Sequence, residues 1–596
     1  MKNKVNLKKV SDVVAEVLIE EKVSHVFAIS GGASLHLIHS LADNENIQYI
    51  CNHNEQAAAM AADGYSRVSG NIGVTITTSG PGATNLITGI CCSYYDSVPS
   101  LFITGQVSTF RMKGDTGVRQ IGFQETPIVD VVKSITKYAY TINHPSEIKY
   151  QIQKALHIAR SGRPGPVLID IPDDLQRVNI ESSLLKNFQP DIEQEKGNLT
   201  DTILSIMSMI KKSKRPVIIA GWGIHLSKTQ SDFIKFAEDL NLPIALTWGA
   251  ADLISFDHEL YIGTFGTHGN RHANFAVQNA DLIISFGSRL DTKSTGSPVN
   301  TFARKAKRIM VEIDINELNK FKKFDLKFDK LIHCDLKDFF DEVQKINIQK
   351  FFNKHDDWVN QINQWQEAFN AFDDRKNLST TQVNPYNFVD RISDNLKENS
   401  KVFIDTGCSI AWFMQSIRTP KTVRVFHDFN NTAMGWALPA SIGGYYADLG
   451  KSPIITIVGD GGFMMTSYEL ATAMHNNIPL KIFIMNNQGY SMIQQTQDQW
   501  LDSNYYASSK QGGISFPDFQ KLSKAYNFKY FELKDDSDLH LVEEIFAYPK
   551  ALICNVFIDN DFRVTPQVKF GRPNEDMGPL LPRDMFNANM IIDPIK

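Results

Sequence analysis

Short aliphatic and β-branched runs alternate along this chain with amphipathic stretches, and the alternation predicts its elements. From about residue 1 to 180 the runs VSHVFAIS, IQYICN, IGVTITTS, SLFITGQ and GPVLIDIP read as strands separated by helical patterns. Strands spaced by helices predict parallel α/β layers. The pattern pauses in the polar, charge-mixed stretch ESSLLKNFQPDIEQEKGNLT, then resumes with RPVIIAGWG, LPIALTWG, ADLIISFGSRL and AKRIMVEIDI. Between about 345 and 385 the segment KFFNKHDDWVNQINQWQEAF is polar and helical, after which SKVFIDTG, SPIITIVGDGG, PLKIFIMNNQG and KALICNVFI bring strands back. The expected fold class is α/β: three domains of parallel sheet flanked by helices, over 1–180, 195–345 and 380–560, the first and third alike in layout. Residues 561–596, rich in Pro and Gly, read as a C-terminal arm packed on a surface or as a free tail.

Composition narrows the function classes. At 596 residues the chain exceeds the roughly 250–300 residues one core can serve. Apolar residues make up 42% and charged residues 21%, which excludes wholesale disorder. Lys and Arg total 61 against 66 Asp and Glu, with no long basic block, so nucleic acid is not an expected partner. Six cysteines (Cys51, Cys91, Cys92, Cys334, Cys408, Cys554) show neither a CxxC pair nor zinc-like spacing, and reduced, mostly buried thiols are expected. The N-terminal lysines precede an apolar pattern broken by Asp12, Glu16 and Glu20, an amphipathic helix and no signal segment. No apolar stretch approaches the roughly 18 residues of a membrane span. A cytoplasmic protein with no membrane partner is expected.

The most informative segment is SPIITIVGDGGFMMTSYELATAMHNNIPLKIFIMNNQGYSMI. One strand ends at Gly459, Asp460, Gly461 and Gly462, a helix carries Met465, Tyr468, Leu470 and Ala473, and a second strand ends at Asn486 and Asn487. A right-handed crossover puts both turns at the carboxyl edge of one sheet, where α/β ligands bind. An Asp carboxylate, an Asn amide oxygen and a loop carbonyl make a hard-oxygen site suited to Mg²⁺, and the glycines admit diphosphate oxygens. GDGG alone is an ordinary strand-to-helix turn; the Asn pair at the end of a clean strand favours the diphosphate anchor.

The GDG…NN arrangement resembles the thiamin diphosphate motif, and nearly the full length is similar to the acetolactate synthase branch of that superfamily. The resemblance implies pyrimidine, central and diphosphate domains, with thiamin diphosphate and Mg²⁺ as cofactors. It implies Asp460, Asn487 and the main-chain oxygen of Gly489 as metal ligands. In CNHNEQAAAMAADGYSRVSG, Glu55 takes the place of the glutamate that hydrogen-bonds N1′ of the cofactor's aminopyrimidine and so helps remove the thiazolium C2 proton; alone it would read as a helix-dipole partner. In FNNTAMGWALPASIGG, Met434 takes the place of the apolar residue that supports the bent cofactor. Gln106, Phe123 and Gln124 are implied to face the reacting carbon. Gly31, Gly32, Ser79, Gly80, Pro81, Asn85, Gly407, Cys408, Ser409, Gly459, Gly461, Gly462 and Met492 are implied to line the cofactor. Because Glu55 and Asp460 lie in different domains, the resemblance implies a homodimer or homotetramer with each site shared between subunits. In the middle domain GTFGTHGNRHANFAVQNADLIISFGSRLDTKSTG and VEIDINE resemble an FAD-binding part, with Gly266, His268, Arg289 and Asp314 implied; relatives also keep this fold with another nucleotide or none.

Several residues depart from the biosynthetic acetolactate synthases. Ser30 replaces a Pro before the paired glycines, Asp173 a Lys, and Thr496 a Trp that shapes the acceptor pocket; TGCSIAW lacks their Gln-His pair. A smaller residue at 496 enlarges the acceptor site, and the tail PLLPRDMFNANM is similar to tails of acetolactate synthase-like proteins of cell-surface sugar biosynthesis. Arg119 reads as a carboxylate or phosphate contact or as a surface residue. The expected activity is a decarboxylating carboligase that joins a 2-oxo acid, pyruvate, to a carbonyl acceptor, giving acetolactate or an acetyl-extended keto-sugar. A flavin-dependent pyruvate oxidase-like enzyme and a non-catalytic nucleotide-binding relative are the alternatives.

Overall fold

The computed structural model describes residues 7–190 and 199–595. Residues 191–198 of the polar interdomain stretch and the first six residues of the N-terminal amphipathic segment lie outside the described residues. Three six-stranded sheets, parallel throughout, carry the chain. The first lies in the spatial order Gln48–Cys51, His25–Ala28, Gly73–Thr77, Ser100–Gln106, Val167–Pro172, Tyr138–Thr141. The third runs Arg424–Phe426, Lys401–Ile404, Ile454–Gly459, Lys481–Asn486, Leu552–Phe557, Lys529–Leu533. Numbered by chain order within each sheet, both read 2-1-3-4-6-5. The middle sheet, Tyr261–Thr264, Ile244–Leu246, Pro216–Ala220, Leu282–Phe286, Lys307–Glu312, Lys330–His333, reads 3-2-1-4-5-6, the doubly wound dinucleotide-fold order. Inner strands such as Leu282–Phe286 and Lys481–Asn486 are buried on both faces, which is why they appear in the sequence as unbroken apolar runs.

The first and third domains pack through the helices Glu55–Ser69 and Ala437–Ala447. Alanines and glycines make that close crossing: a Cβ on Gly443 would overlap the Ala61 carbonyl oxygen, and one on Gly64 the Ala440 carbonyl oxygen. Beside it lies a buried ionic knot. Arg67 donates to Asp63 (2.6 Å) and Asp96 (2.8 Å), and its remaining amine reaches the carbonyl of His427 at 3.0 Å. Asp96 also accepts from the backbone N–H groups of Phe429 (3.0 Å) and Asn430 (3.1 Å), so one carboxylate ties the first domain to the loop leading to Met434.

The polar, helical segment that follows residue 345 is part of the middle domain. Helix Asp356–Asp373 buries Trp358, Ile362, Trp365 and Phe369, an i, i+4, i+7, i+11 stripe, in the same core as Phe275. Phe562 and Val564 pack in the third domain's core, and from Val568, whose N–H donates to Thr267 O at 2.8 Å, the chain runs over the middle domain: Arg271 donates to the carbonyls of Met577 (3.1 Å) and Pro579 (2.9 Å), and Phe586 enters that core. Among the described residues no helix is long and apolar enough to cross a membrane.

Candidate active site

The expected residues gather in two clusters, each at the carboxyl edge of a sheet. On the first, the Asn54 side chain caps helix Glu55–Ser69 by accepting from Gln56 N at 2.8 Å, which sets Glu55 in the first turn. Glu55 Oε2 accepts from Asn85 Nδ2 at 2.9 Å, and Oε1 lies beside Gly82. Gly80 takes a left-handed φ of +59° and abuts Gln124, itself at +64°. Gly31 lies against Thr78, so Gly31, Glu55, Asn85, Gln124 and the Ser79–Gly80–Pro81 turn share one edge. Gly32 opens to solvent, and Phe123 stands 86% exposed.

Gln106 departs from expectation. It is 2% exposed, and its amide is fully engaged: Nε2 donates to Thr126 O (2.8 Å) and Asp170 Oδ2 (3.0 Å), and Oε1 accepts from Val107 N (2.9 Å). It clasps both ends of the 107–126 loop that carries Phe123 and Gln124. Inside that loop Glu125 accepts from the backbone N–H groups of Lys113 (2.5 Å), Ile121 (2.9 Å) and Gly122 (3.2 Å), and these bonds hold its carboxyl below the usual range despite burial. Arg119 lies exposed on the same loop.

On the third sheet, Asp460 follows Gly459 at the end of strand Ile454–Gly459. Its Oδ1 accepts from Gly461 N at 2.7 Å and its Oδ2 from Gly489 N at 3.3 Å, which brings the two turns together. The Asn487 carbonyl accepts from Asn560 Nδ2 at 2.7 Å, and its side-chain amide donates to Ser491 Oγ. Asp460 is 2% exposed, and burial pushes its carboxyl up to about 7 against the pull of neighbouring backbone N–H groups. No cationic side chain among the described residues lies within ion-pair reach of it. A buried carboxylate without a counter-charge is costly, and a divalent cation relieves that cost. Among the described residues no cluster of three His, Cys, Asp or Glu could hold a metal, so a cation here would rely on the amide and main-chain oxygens of Asn487 and Gly489.

Around this turn, the Met434 methyl group lies beside Gly461 and Tyr490. Gly435 N donates to Asp405 Oδ2, and Thr466 Oγ1 to Gly435 O, both at 2.8 Å, fixing the backbone next to Met434. Gly407, at a left-handed φ of +95°, opens helix Cys408–Ser416, whose Cys408 and Ser409 are buried at its start. Met492 packs on the third domain's core, and Thr496 Oγ1 donates back to Met492 O at 3.1 Å. The segment between the two turns is not one helix: Asp460–Thr466 and Leu470–His475 flank a 3₁₀ turn. That turn carries Glu469, which accepts from Asn52 Nδ2 and His53 N, both at 2.9 Å, and so anchors the third domain two residues from Glu55. Asp405, Glu469 and Asp96 were not legible as site residues, since an isolated acidic residue in an apolar run carries no sign of a distant partner.

Residues 8–131 match the family model for the N-terminal thiamine pyrophosphate-binding domain, 203–342 that for the central domain, and 405–556 that for the C-terminal thiamine pyrophosphate-binding domain. The chain belongs to the thiamine pyrophosphate enzymes. It is 32% identical to the acetolactate synthase large subunit of Lactococcus lactis, over 95% of each chain. It is 32% identical to the probable acetolactate synthase large subunit of Methanococcus aeolicus, over 93% of this chain and 92% of that one, and 30% identical to a chloroplastic acetolactate synthase of Zea mays, over 96% and 88%. In this thiamine pyrophosphate enzyme the clusters at Glu55 and Asp460 lie on the two matched cofactor-binding domains.

The middle domain places the residues implied for FAD unevenly. His268 and Arg289 line a cavity at the carboxyl ends of its strands, and burial pulls the His268 ring down to about 4. Gly266, at φ +111°, packs against the Lys293 carbonyl. Asp314 does not turn to the cavity: Oδ1 caps helix Ile315–Asn319 through Asn316 N at 2.9 Å and Oδ2 pairs with Arg163 at 3.0 Å. Glu312, at the end of its strand, lines the cavity, as do Asp291 and Asp335.

Proposed function

We propose a thiamin diphosphate- and Mg²⁺-dependent carboligase that takes pyruvate as donor and a carbonyl compound as acceptor. The observation that carries the metal and cofactor assignment is Asp460, a buried carboxylate without a cationic partner, hydrogen-bonded to the Gly489 turn at a sheet edge. Asp460, Asn487 and Gly489 would hold the Mg²⁺ and, through it, the diphosphate. When bound, thiamin diphosphate supplies the electron sink that allows a 2-oxo acid to lose carbon dioxide. Glu55, oriented by the Asn85 amide, would hold a proton toward the cofactor's aminopyrimidine. Met434, beside a backbone fixed by the Asp405 and Thr466 bonds to Gly435, would support the cofactor. Phe123 and Gln124, presented by the loop that Gln106 and Glu125 organise, exclude water from the acceptor side and so favour ligation over aldehyde release. Thr496, where related enzymes carry Trp, leaves space for an acceptor larger than 2-ketobutyrate.

Each complete site combines Glu55 of one subunit with Asp460 of its partner, in a homodimer or homotetramer. The six free cysteines fit a reducing cytoplasmic setting. The middle cavity lies at the carboxyl ends of its strands, apart from the Glu55 and Asp460 clusters, and no step is assigned to a flavin. Mass spectrometry of the products formed with thiamin diphosphate, Mg²⁺ and pyruvate, alone and with keto-sugars or aldehydes, tests the assignment. Acetolactate or a product extended by an acetyl unit is expected; acetaldehyde alone, or unconsumed pyruvate, would overturn it.

A further inference from the structure

The turn between strand Gln48–Cys51 and helix Glu55–Ser69 holds only Asn52, His53 and Asn54, so these residues set the direction in which Glu55 leaves the sheet edge. Each is tied down. Asn52 N donates to Ala28 O on the neighbouring strand at 3.1 Å, and the Asn54 side chain caps the helix. Two further donors reach out of the first domain: Asn52 Nδ2 and His53 N each donate to the Glu469 carboxylate at 2.9 Å.

Glu469 has the surroundings of an anchor. It is 0% exposed, on the 3₁₀ turn Ser467–Glu469, and Thr472 Oγ1 donates to its Oε2 at 2.7 Å. No cation pairs with it among the described residues. A buried carboxylate without a counter-charge is costly, and hydrogen bonds offset the cost here, both Asn52 and His53 of the turn supplying one. An apolar side chain would fill the space but strip the His53 N–H and the Asn52 amide of their acceptor. Within one subunit this contact joins the turn before Glu55 to the segment that opens with Asp460. Tyr468, beside Glu469 in that segment, lies near both acids: burial, then the charges of Glu469 and Glu55, push its hydroxyl up to about 12.

Reach and charge can be told apart at this position. Asn52 Oδ1 is buried and has no donor among the described residues. In Glu469→Gln the new amide N–H would donate to that oxygen once Asn52 turns its amide over, while Oε1 still accepts from His53 N, so both ties to the turn survive without the charge. Glu469→Asp does the opposite: it keeps the charge and, one carbon shorter, withdraws the acceptors from the turn. A role in holding geometry therefore predicts recovery by the amide and not by the shorter acid.

We infer that Glu469 is a positioning residue for the proton step: from the third domain it holds the 52–54 turn and so keeps Glu55 oriented for its work on the cofactor, by its reach rather than its charge. The inference rests on the reading of Glu55 given above. Three measurements on the full-length protein test it, each for the parent, Glu469→Ala, Glu469→Gln, Glu469→Asp and Glu55→Gln: backbone amide exchange of the 52–54 turn without cofactor, affinity for thiamin diphosphate with Mg²⁺ by titration calorimetry, and C2 hydrogen–deuterium exchange of the bound cofactor. In Glu469→Ala the amides of the turn should exchange faster by about ten-fold or more. That variant should keep its cofactor affinity within about three-fold and slow C2 exchange roughly 10–10²-fold, since a misplacement of about 1 Å can cost about 10²-fold. Glu469→Gln should recover most of the C2 rate and Glu469→Asp should not; the aspartate variant also serves if the alanine variant fails to fold. Parent-rate C2 exchange in Glu469→Ala beside a slow Glu55→Gln, unchanged amide exchange in the turn, or recovery by Glu469→Asp and not by Glu469→Gln would overturn the inference alone. Parent-rate C2 exchange in Glu55→Gln would overturn the Glu55 reading and the inference with it.

Discussion

Asp170 shows how one buried acid can serve a site it never touches. It accepts from Thr104 Oγ1 (2.6 Å) and Gln106 Nε2 (3.0 Å), and through Gln106 it steadies the loop that presents Gln124. Burial pushes its carboxyl up to about 7. In the unfolded chain this group ionises near pH 4, so the folded state holds its proton over a wider range. Its contribution to stability is full below about pH 4, falls as pH rises to about 7, and is gone above that. Asp170→Asn should flatten the decline of melting temperature across this window, as thermal melts at a series of pH values would show; an unchanged profile would remove Asp170 as its source. At this scale the sequence was legible where chemistry sits at strand ends. Asp460 and Asn487 could be paired because a crossover of ordinary length separates them. The partners of Gln106 and Asp314 were not legible, because a strand-end amide or acid can turn inward as easily as outward, and only the partner (Asp170 for one, Arg163 for the other) decides which.

At the scale of elements, the crossing of helices Glu55–Ser69 and Ala437–Ala447 joins the first and third domains through bare backbone contact. An exposed Gly→Ala change in a helix interior is ordinarily favourable by roughly 0.5–1 kcal/mol. Gly443→Ala should do the reverse, destabilising by about 1–3 kcal/mol or more as the helices are forced apart. Denaturant unfolding of the two proteins measures this, and a stabilised variant would show that the crossing is loose. The hydrophobic pattern identified every inner strand of the three sheets. The strands it left out, Tyr138–Thr141, Tyr261–Thr264, Lys330–His333, Arg424–Phe426 and Lys529–Leu533, are all sheet edges. Edge strands are covered on fewer sides, so their sequences are shorter and more polar, as in Lys529–Leu533 with one buried residue. The helix Asp356–Asp373 was legible as a helix; its stripe of apolar residues four and three positions apart also marks it as part of a core.

At the scale of the whole molecule, two domains of the same strand order flank a doubly wound middle, and the two halves of the proposed site sit on the two like domains. If each site draws Glu55 from one subunit and Asp460 from another, two inactive proteins can repair one another. Co-expressed Glu55→Gln and Asp460→Ala chains should recover up to about a quarter of the parent activity, since mixed dimers contain one intact site and one doubly altered site. Activity no higher than that of either variant alone would place both residues in the same subunit's site.

The most direct measurement is hydrogen–deuterium exchange at C2 of thiamin diphosphate bound to the full-length protein with Mg²⁺, followed by quenched-flow NMR for the parent and Glu55→Gln. Both should bind the cofactor, and the variant should exchange about 10²–10⁴ times more slowly. Equal rates with the cofactor bound would show that Glu55 does not activate it.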